Sequence, residues 1–138
     1  MSKKRIFTAA LAALALVAAG CGDDDEETTT EEAAATSQQA IAEIGEVRGG
    51  LTQGLAAYQA GNAEEADTLI GDAYLEHFEI VEGPLEEVDP ELNEELEELI
   101  STEIRDEIKA GAPVKEVQAL VQEAQTGLDE AETALGQA

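Results

Sequence analysis

The chain has 138 residues, with 32 acidic and 7 basic side chains and a formal net charge of −25 at pH 7. This length allows one small domain, and the charge excludes nucleic acid as a partner, because no basic patch is present to neutralise phosphates. Apolar residues make up 43% of the sequence and aromatic residues only 3%. The core must therefore consist mainly of Leu, Ile, Val and Ala, which favours helix packing over a β-sandwich.

Residues 1–20 have the pattern of a bacterial export leader. Three basic residues at positions 3–5 precede the apolar run 6–19, which is shorter than the roughly 20 residues that a membrane-spanning helix needs. The run ends in VAAGC, small residues followed by the one cysteine, Cys21. This ending resembles a bacterial lipoprotein signal, in which the leader is cleaved before a cysteine that becomes acylated. Ala18 stands where Leu is usual in that class, so an ordinary secretory leader and an uncleaved anchor stay open as alternatives.

The export pattern predicts where the protein resides. We expect Cys21 to carry a lipid anchor, since two or more acyl chains hold a protein firmly on a bilayer. The protein would then lie in the cell envelope, on the outer face of the cytoplasmic membrane or in the periplasm. Residues 21–36 form the lipidated Cys and a disordered acidic linker in this interpretation, because like charges and repeated Thr leave almost nothing to bury.

Residues 37–138 show four amphipathic helical patterns and no strand pattern. The first predicted helix spans about Ser37–Ala60. The second is capped by Asn62, runs to about Val81 and stops at Gly83–Pro84. The third begins at Asp89–Pro90 and ends at the break at Gly111, and the fourth spans about Pro113–Leu135. The fourth has the most regular apolar seam, which comprises Val114, Val117, Val121, Ala124, Leu128, Ala131 and Leu135. Short connections make neighbouring helices antiparallel, so the sequence predicts an all-α, up-down-up-down four-helix bundle.

The second predicted helix carries the least common residue types of the chain, including the only histidine, His77. Asp72, Glu76 and Glu79 are spaced four and three residues apart, so they stack on one helix face, and Glu82 lies beside that row. A bound cation would turn their mutual repulsion into attraction, because carboxylate oxygens are the ligands that hard cations prefer. A solvated acidic face, common in so acidic a protein, is the alternative.

Two other side chains bear on a possible metal site. His77 falls in the middle of the apolar stripe, next to Tyr74 and Phe78, and is either a core residue with a satisfied hydrogen bond or a metal ligand facing the bundle interior. Arg105, in the third predicted helix, could pair with Glu79 or Glu82. Such a pair would be structural, or it would position those carboxylates for a metal.

The sequence gives no support for an enzyme. The one cysteine is assigned to lipidation, and the one histidine has no Ser or Asp relay by sequence. No glycine-rich phosphate loop follows a strand, and the Glu-x-x-His pairs of a di-iron carboxylate bundle are absent. We expect no catalytic residues.

Several short motifs occur in one order along the chain, and together they resemble a known family. They are YQAG at Tyr58–Gly61, DAYL at Asp72–Leu75, FE at Phe78–Glu79, EGPL at Glu82–Leu85 and DPEL at Asp89–Leu92, followed by Arg105. This order resembles the extracytoplasmic domain that precedes the membrane part of bacterial high-affinity iron permeases, over roughly residues 41–135.

The resemblance implies a role in iron uptake, with Fe2+ or Fe3+ as the bound ion. It also implies iron contacts at Glu79 and Glu82, which have the Glu-x-x-Glu form associated with iron binding in that family. The permease's membrane helices, with their Arg-Glu-Gly-Leu-Glu motif, do not occur in this sequence. We therefore expect a stand-alone lipoprotein version of the domain, which binds cations or delivers them to a separate iron permease.

The leading prediction is a cell-envelope lipoprotein that binds iron or another hard cation and assists a separate permease. Its predicted metal ligands are Asp72, Glu76, His77, Glu79 and Glu82. The alternative is a structural or protein-interaction lipoprotein, which docks another envelope protein and has no specific metal site. Adaptation to a salt-rich habitat is a second explanation of the acidity, because salt screens the repulsion among so many like charges.

Overall fold

The computed structural model describes the backbone from Glu26 to Ala138 and the side chains from Thr36 onward. The predicted leader and Cys21 lie outside the described residues. Four helices follow one another, and they are α1 (Glu26–Gln59), α2 (residues 63–88), α3 (residues 90–110) and α4 (Val114–Leu135). No strand occurs between residues 26 and 138, so the all-α prediction is confirmed.

Helices α2 and α3 each contain a π-helical segment, which the sequence analysis did not predict. Helix α2 consists of Ala63–Asp72, π-helical Ala73–Phe78 and Glu79–Val88, and α3 consists of Pro90–Glu98, π-helical Leu99–Glu103 and Ile104–Ala110. The amide of Glu79 bonds to the carbonyl of Tyr74, and that of Ile104 to the carbonyl of Leu99. These five-residue hydrogen bonds define the π-helix, which is rare and frequently found at functional sites.

Helix α1 begins at Glu26, eleven residues before the predicted start at Ser37. The predicted disordered linker therefore overlaps with helical backbone. Two features of the local sequence favour this extension: glutamates in the first turns complement the helix dipole, and the alanines that follow have the highest helix propensity.

The predicted stop of α2 at Gly83–Pro84 is wrong, because the helix continues through both residues to Val88. Proline removes one backbone hydrogen bond, but continuing the helix buries Leu85 completely in the core. The chain turns at Asp89, and the amide of Leu92 donates to Asp89 Oδ1 at 3.2 Å. The predicted cap at the start of α3 is confirmed.

The start of α2 differs from its prediction in one detail. Asn62 occupies the cap position, but its side chain makes no capping hydrogen bond. The amide Nδ2 instead donates to Glu65 Oε2 at 3.3 Å. The first-turn backbone groups of α2 thus lack the side-chain acceptor that a capping box would provide.

The core lies between all four helices. Helix α1 packs against α2 and α4, and α3 packs against the same two helices. The apolar stripes meet there, with completely or almost completely buried side chains such as Ile44, Phe78, Ile100 and Leu128. The predicted seam of α4 is buried except at Val114, which is 40% exposed because it is the first residue of the helix.

Glycines allow α1 and α2 to approach closely. A Cβ atom on Gly54 would lie 2.5 Å from Cγ1 of Ile70, and one on Gly50 would clash with Cβ of Ala73. Any larger side chain at either position would push the two helices apart. This close approach brings α1 side chains within hydrogen-bond distance of α2, including a partner for His77. None of the described helices combines the length and apolar content that a bilayer crossing requires.

Candidate functional site

His77 joins α2 to α1 through a hydrogen bond. Its Nδ1 lies 2.7 Å from Glu43 Oε2, and the two side chains are 31% and 23% exposed. His77 is therefore half-buried at the helix interface rather than enclosed in the core. When Nδ1 carries the proton, it donates to Glu43 and leaves Nε2 with a free lone pair. That tautomer is the form in which histidine ligates a metal through Nε2.

Glu82 is also held by a neighbouring side chain. The hydroxyl of Tyr74 donates to Glu82 Oε1 at 2.7 Å. The Tyr74 ring packs against the ring of Phe78, with centroids 5.9 Å apart. Burial raises the pKa of Tyr74, and the hydrogen bond to Glu82 and the charges of Glu82, Glu97 and Glu79 raise it further. Tyr74 thus stays protonated at neutral pH, so it remains a donor to Glu82.

The other three predicted ligands point to solvent. Asp72, Glu76 and Glu79 are exposed, and none of them forms a hydrogen bond or ion pair with another described residue. Among residues 36–138, no three His, Cys, Asp or Glu side chains form a group that could hold a metal ion. The five predicted ligands thus divide into two oriented side chains, at positions 77 and 82, and three free ones.

Arg105 pairs with Asp67 and not with the predicted Glu79 or Glu82. Its Nε donates to Asp67 Oδ1 at 2.7 Å and its Nη2 to Oδ2 at 3.4 Å. The reason is the position of α3, whose last segment packs against the first segment of α2. This contact places Arg105 beside Asp67, several turns from Glu82.

The ion pair of Arg105 is tightly built. A Cβ atom on Gly71 would lie 3.3 Å from Cζ of Arg105, so the glycine leaves room for the guanidinium to lie against α2. Lys109 Nζ approaches Asp67 Oδ1 to 3.5 Å. The hydrogen bond from Arg105, together with the charges of Arg105 and Lys109, holds the pKa of Asp67 below its usual value despite partial burial. The Arg105–Asp67 pair thus joins α3 to α2, and we call it the interhelical clamp.

Sequence reasoning missed the residues that orient the predicted ligands. Glu43 is one of several charged residues in α1. The one sequence signal that placed it near the helix interface is its position next to the apolar Ile44. Asp67 is likewise close in sequence to the apolar residues Leu69 and Ile70 of α2. Their partners lie 34 and 38 residues away along the chain, a distance over which helical periodicity carries no information.

Helix α2 thus carries one imidazole and one carboxylate held by hydrogen bonds, and three exposed carboxylates without a partner among the described residues. Imidazole nitrogen and carboxylate oxygen are both metal ligands, but the described side chains do not converge on one point. No protein-family profile matches the sequence, and comparisons with curated proteins and with solved structures find no significant match. The resemblance to the extracytoplasmic domain of iron permeases therefore stays a prediction.

Proposed function

We propose that this protein is an exported lipoprotein, anchored through Cys21, that binds iron or another hard cation on α2 and assists a separate permease. We also propose that its four helices alternate in direction as an up-down-up-down bundle. The packing of the first segment of α2 on the last segment of α3, and of the third segment of α2 on the first of α3, supports antiparallel neighbours. The short connections between helices support it too.

One observation carries the cation proposal: both His77 and Glu82 have a partner that fixes their orientation. Histidines and carboxylates that ligate metals are almost always hydrogen-bonded to a second residue, which sets the tautomer and the direction of the ligand atom. Glu43 has this role for His77, and Tyr74 has it for Glu82.

The free carboxylates supply the remaining ligands. Asp72, Glu76 and Glu79 lie on the same helix as the oriented pair and have no partner to give up among residues 36–138. Exposed side chains rotate within nanoseconds, so they can close around a cation that reaches His77. A site of this kind at the surface exchanges its ion readily, which suits delivery to a permease better than long-term storage.

Calorimetry with Fe2+ under anaerobic conditions tests this proposal on the purified chain. We expect specific binding that weakens about 10- to 100-fold in Glu43→Gln and in Tyr74→Phe, the range that loss of an orienting partner causes at metal sites. Glu87→Gln is the matched control, because Glu87 is exposed on α2 and has no partner among the described residues. If all three variants bind Fe2+ as the unmodified chain does, the site is not on this face.

The second candidate function, a docking module for another envelope protein, is favoured by two exposed apolar side chains on α2. Leu75 is 56% exposed on α2, and Ile80 on the same helix is 39% exposed. Both lie among acidic residues, as at the edge of an interface. Pull-down from detergent-solubilised membranes separates the two functions: a partner that is retained without metal and lost in Leu75→Asp supports docking.

A further inference from the structure

The outer face of α2 carries apolar side chains in a surface that is otherwise acidic. Leu75 is the most exposed large apolar residue in the described part of the chain, and Ile80 follows it on the same helix. Single exposed apolar residues are common on protein surfaces, but adjacent ones mark interaction sites. Whether Leu75 and Ile80 are adjacent depends on the helical turn between them.

The π-helical turn of α2 brings these two side chains to the same face. The amide of Glu79 bonds to the carbonyl of Tyr74, so this turn takes a five-residue step. On the inner side, Ala73 and Phe78 are five residues apart and both are buried. Leu75 and Ile80 are also five residues apart and both are exposed. In a regular α-helix they would diverge by about 140°, whereas here they lie one wide turn apart on the outer face.

Gly83 leaves the helix backbone uncovered beside Ile80. It lies three residues further along, which places it on the same face, and it is exposed. A Cβ atom on Gly83 would meet no described atom within 4 Å, so packing among the described residues does not require a glycine there. Glycine weakens a helix relative to alanine, but it lets another molecule approach the backbone closely.

Unpaired carboxylates surround the apolar residues. Asp72, Glu76 and Glu79 all lie within one turn of Leu75 and are exposed. None of the three forms a hydrogen bond or an ion pair with a described residue. The outer face of α2, which we define as residues 72–83, therefore presents an apolar centre with a negatively charged border.

The charge of this face decides which occupant fits it. A second copy of the chain would bring another formal charge of −25, and like charges placed against each other oppose association. The negative surface of an anionic membrane repels the same carboxylates. A basic partner is complementary to the border. A helix suits the centre, because helical partners dock through apolar residues spaced three or four apart.

We infer that the outer face of α2 docks a basic amphipathic helix of another envelope protein. The apolar side chains of that helix lie on Leu75 and Ile80, and its Lys or Arg side chains pair with Asp72, Glu76 and Glu79. The face is about 17 Å long, which corresponds to about three helical turns. This inference rests on the docking role proposed above and adds the chemistry of the partner.

Calorimetry of the purified full chain with a defined peptide, without metal and at physiological ionic strength, tests this inference. The probe is a helix-forming peptide of about 18 Leu and Lys residues, five helical turns, with its leucines on one face. The control peptide has the same composition in an order that gives no apolar face. We expect the chain to bind the amphipathic peptide more tightly than the control peptide.

Two double variants locate the binding surface without a change in net charge. Leu75→Gln/Ile80→Gln removes the apolar centre, and Val88→Gln/Val114→Gln is the matched control, because these valines are 38% and 40% exposed and lie outside the face. We expect the first variant to bind the amphipathic peptide at least about tenfold more weakly, as loss of buried anchor residues does. The control should change less than about twofold. Circular dichroism checks that both variants keep their helices.

Competing explanations give different results. Equal binding of the two peptides, or equal binding by the two variants, would show attraction by net charge alone and overturn the inference. Self-association of the chain, or its binding to anionic phospholipid vesicles, would also overturn it if Leu75→Gln/Ile80→Gln abolished that association. A partner captured in the pull-down without any binding of the amphipathic peptide would refute the basic helix and leave docking intact. Leu75→Gln/Ile80→Gln keeps every proposed metal ligand, so Fe2+ calorimetry on it reports on the cation proposal separately.

Discussion

Glutamates near α2 and glutamates on the surface between α3 and α4 have opposite surroundings. Glu82 of α2 accepts a hydrogen bond from Tyr74 at 2.7 Å, and Glu43 of α1 lies 2.7 Å from Nδ1 of His77 on α2. On the surface between α3 and α4, five glutamates are exposed and form no hydrogen bond or ion pair with a described side chain, and these are Glu95, Glu98, Glu103, Glu123 and Glu130. The difference lies in the neighbours: Tyr74 and His77 are polar partners, whereas Leu92, Leu96 and Leu99 between α3 and α4 are buried in the core and offer no hydrogen bond.

Both regions lie at a π-helical segment. Tyr74 and His77 belong to the π-helix in α2, and Leu99 and Glu103 belong to the one in α3. A wider turn changes the direction of the side chains that follow it, so each segment moves polar residues to positions that a regular α-helix would not give them. Four predictions test how far the two regions differ.

The largest effect is expected from Phe78→Ala. Phe78 is fully buried and supports the ring of Tyr74, so its loss leaves a cavity and removes the packing that orients Glu82. We expect the free energy of unfolding to fall by about 3–5 kcal/mol, measured by urea denaturation. Leu75→Ala, at an exposed position of the same π-helix, is the control and is expected to change it by less than about 0.5 kcal/mol. Similar losses in both would show that this segment is not packed as described.

Asp67→Asn breaks the clamp between α2 and α3, and we expect it to destabilise the protein by about 1–2 kcal/mol, as loss of a charge-assisted hydrogen bond does. Its effect depends on pH. The folded state lowers the pKa of Asp67 from its usual 3.8, so the clamp contributes fully above that value and is lost as the pH falls through the folded pKa. Urea denaturation as a function of pH should show the two proteins converging in acid. A constant difference between them at all pH values would contradict the assignment.

Tyr74→Phe removes the hydroxyl that holds Glu82 and keeps the ring on Phe78. We expect a loss of about 0.5–1.5 kcal/mol at neutral pH, the net value of one hydrogen bond. The folded state raises the pKa of Tyr74 above its usual 10.0, so the unmodified protein loses stability as the pH rises above that value. The variant should lack that part of the alkaline loss, and identical alkaline profiles would argue against the hydrogen bond.

The smallest effect, and the one of opposite sign, is expected among the exposed glutamates between α3 and α4. Glu95→Gln/Glu98→Gln removes two like charges three residues apart on one helix face, which repel each other by about 0.2–0.5 kcal/mol. We expect a small gain in stability at low salt that disappears at high salt, because screening shortens the range of such repulsion. Thermal unfolding at two salt concentrations measures it. Destabilisation would mean that these glutamates have protein partners.

The sequence alone determined the helical class and most of the inward-facing stripe residues. Periodic Leu, Ile and Val at three- and four-residue steps bury well only on helices, and Asp89, Pro90 and Gly111 mark the ends of α3 by their backbone preferences. The sequence also shows directly that α2 carries the only histidine, His77, together with several carboxylates.

The tertiary structure decided what those residues contact. Pairing His77 with Glu43, and Arg105 with Asp67, depends on which helices pack together and at what register, information that helical spacing does not contain. The continuation of α2 through Pro84 has the same origin, since burial of Leu85 outweighs a local break signal. The π-helical turns likewise arise where the packed core requires a five-residue step, such as Ala73 to Phe78, which helical periodicity does not predict.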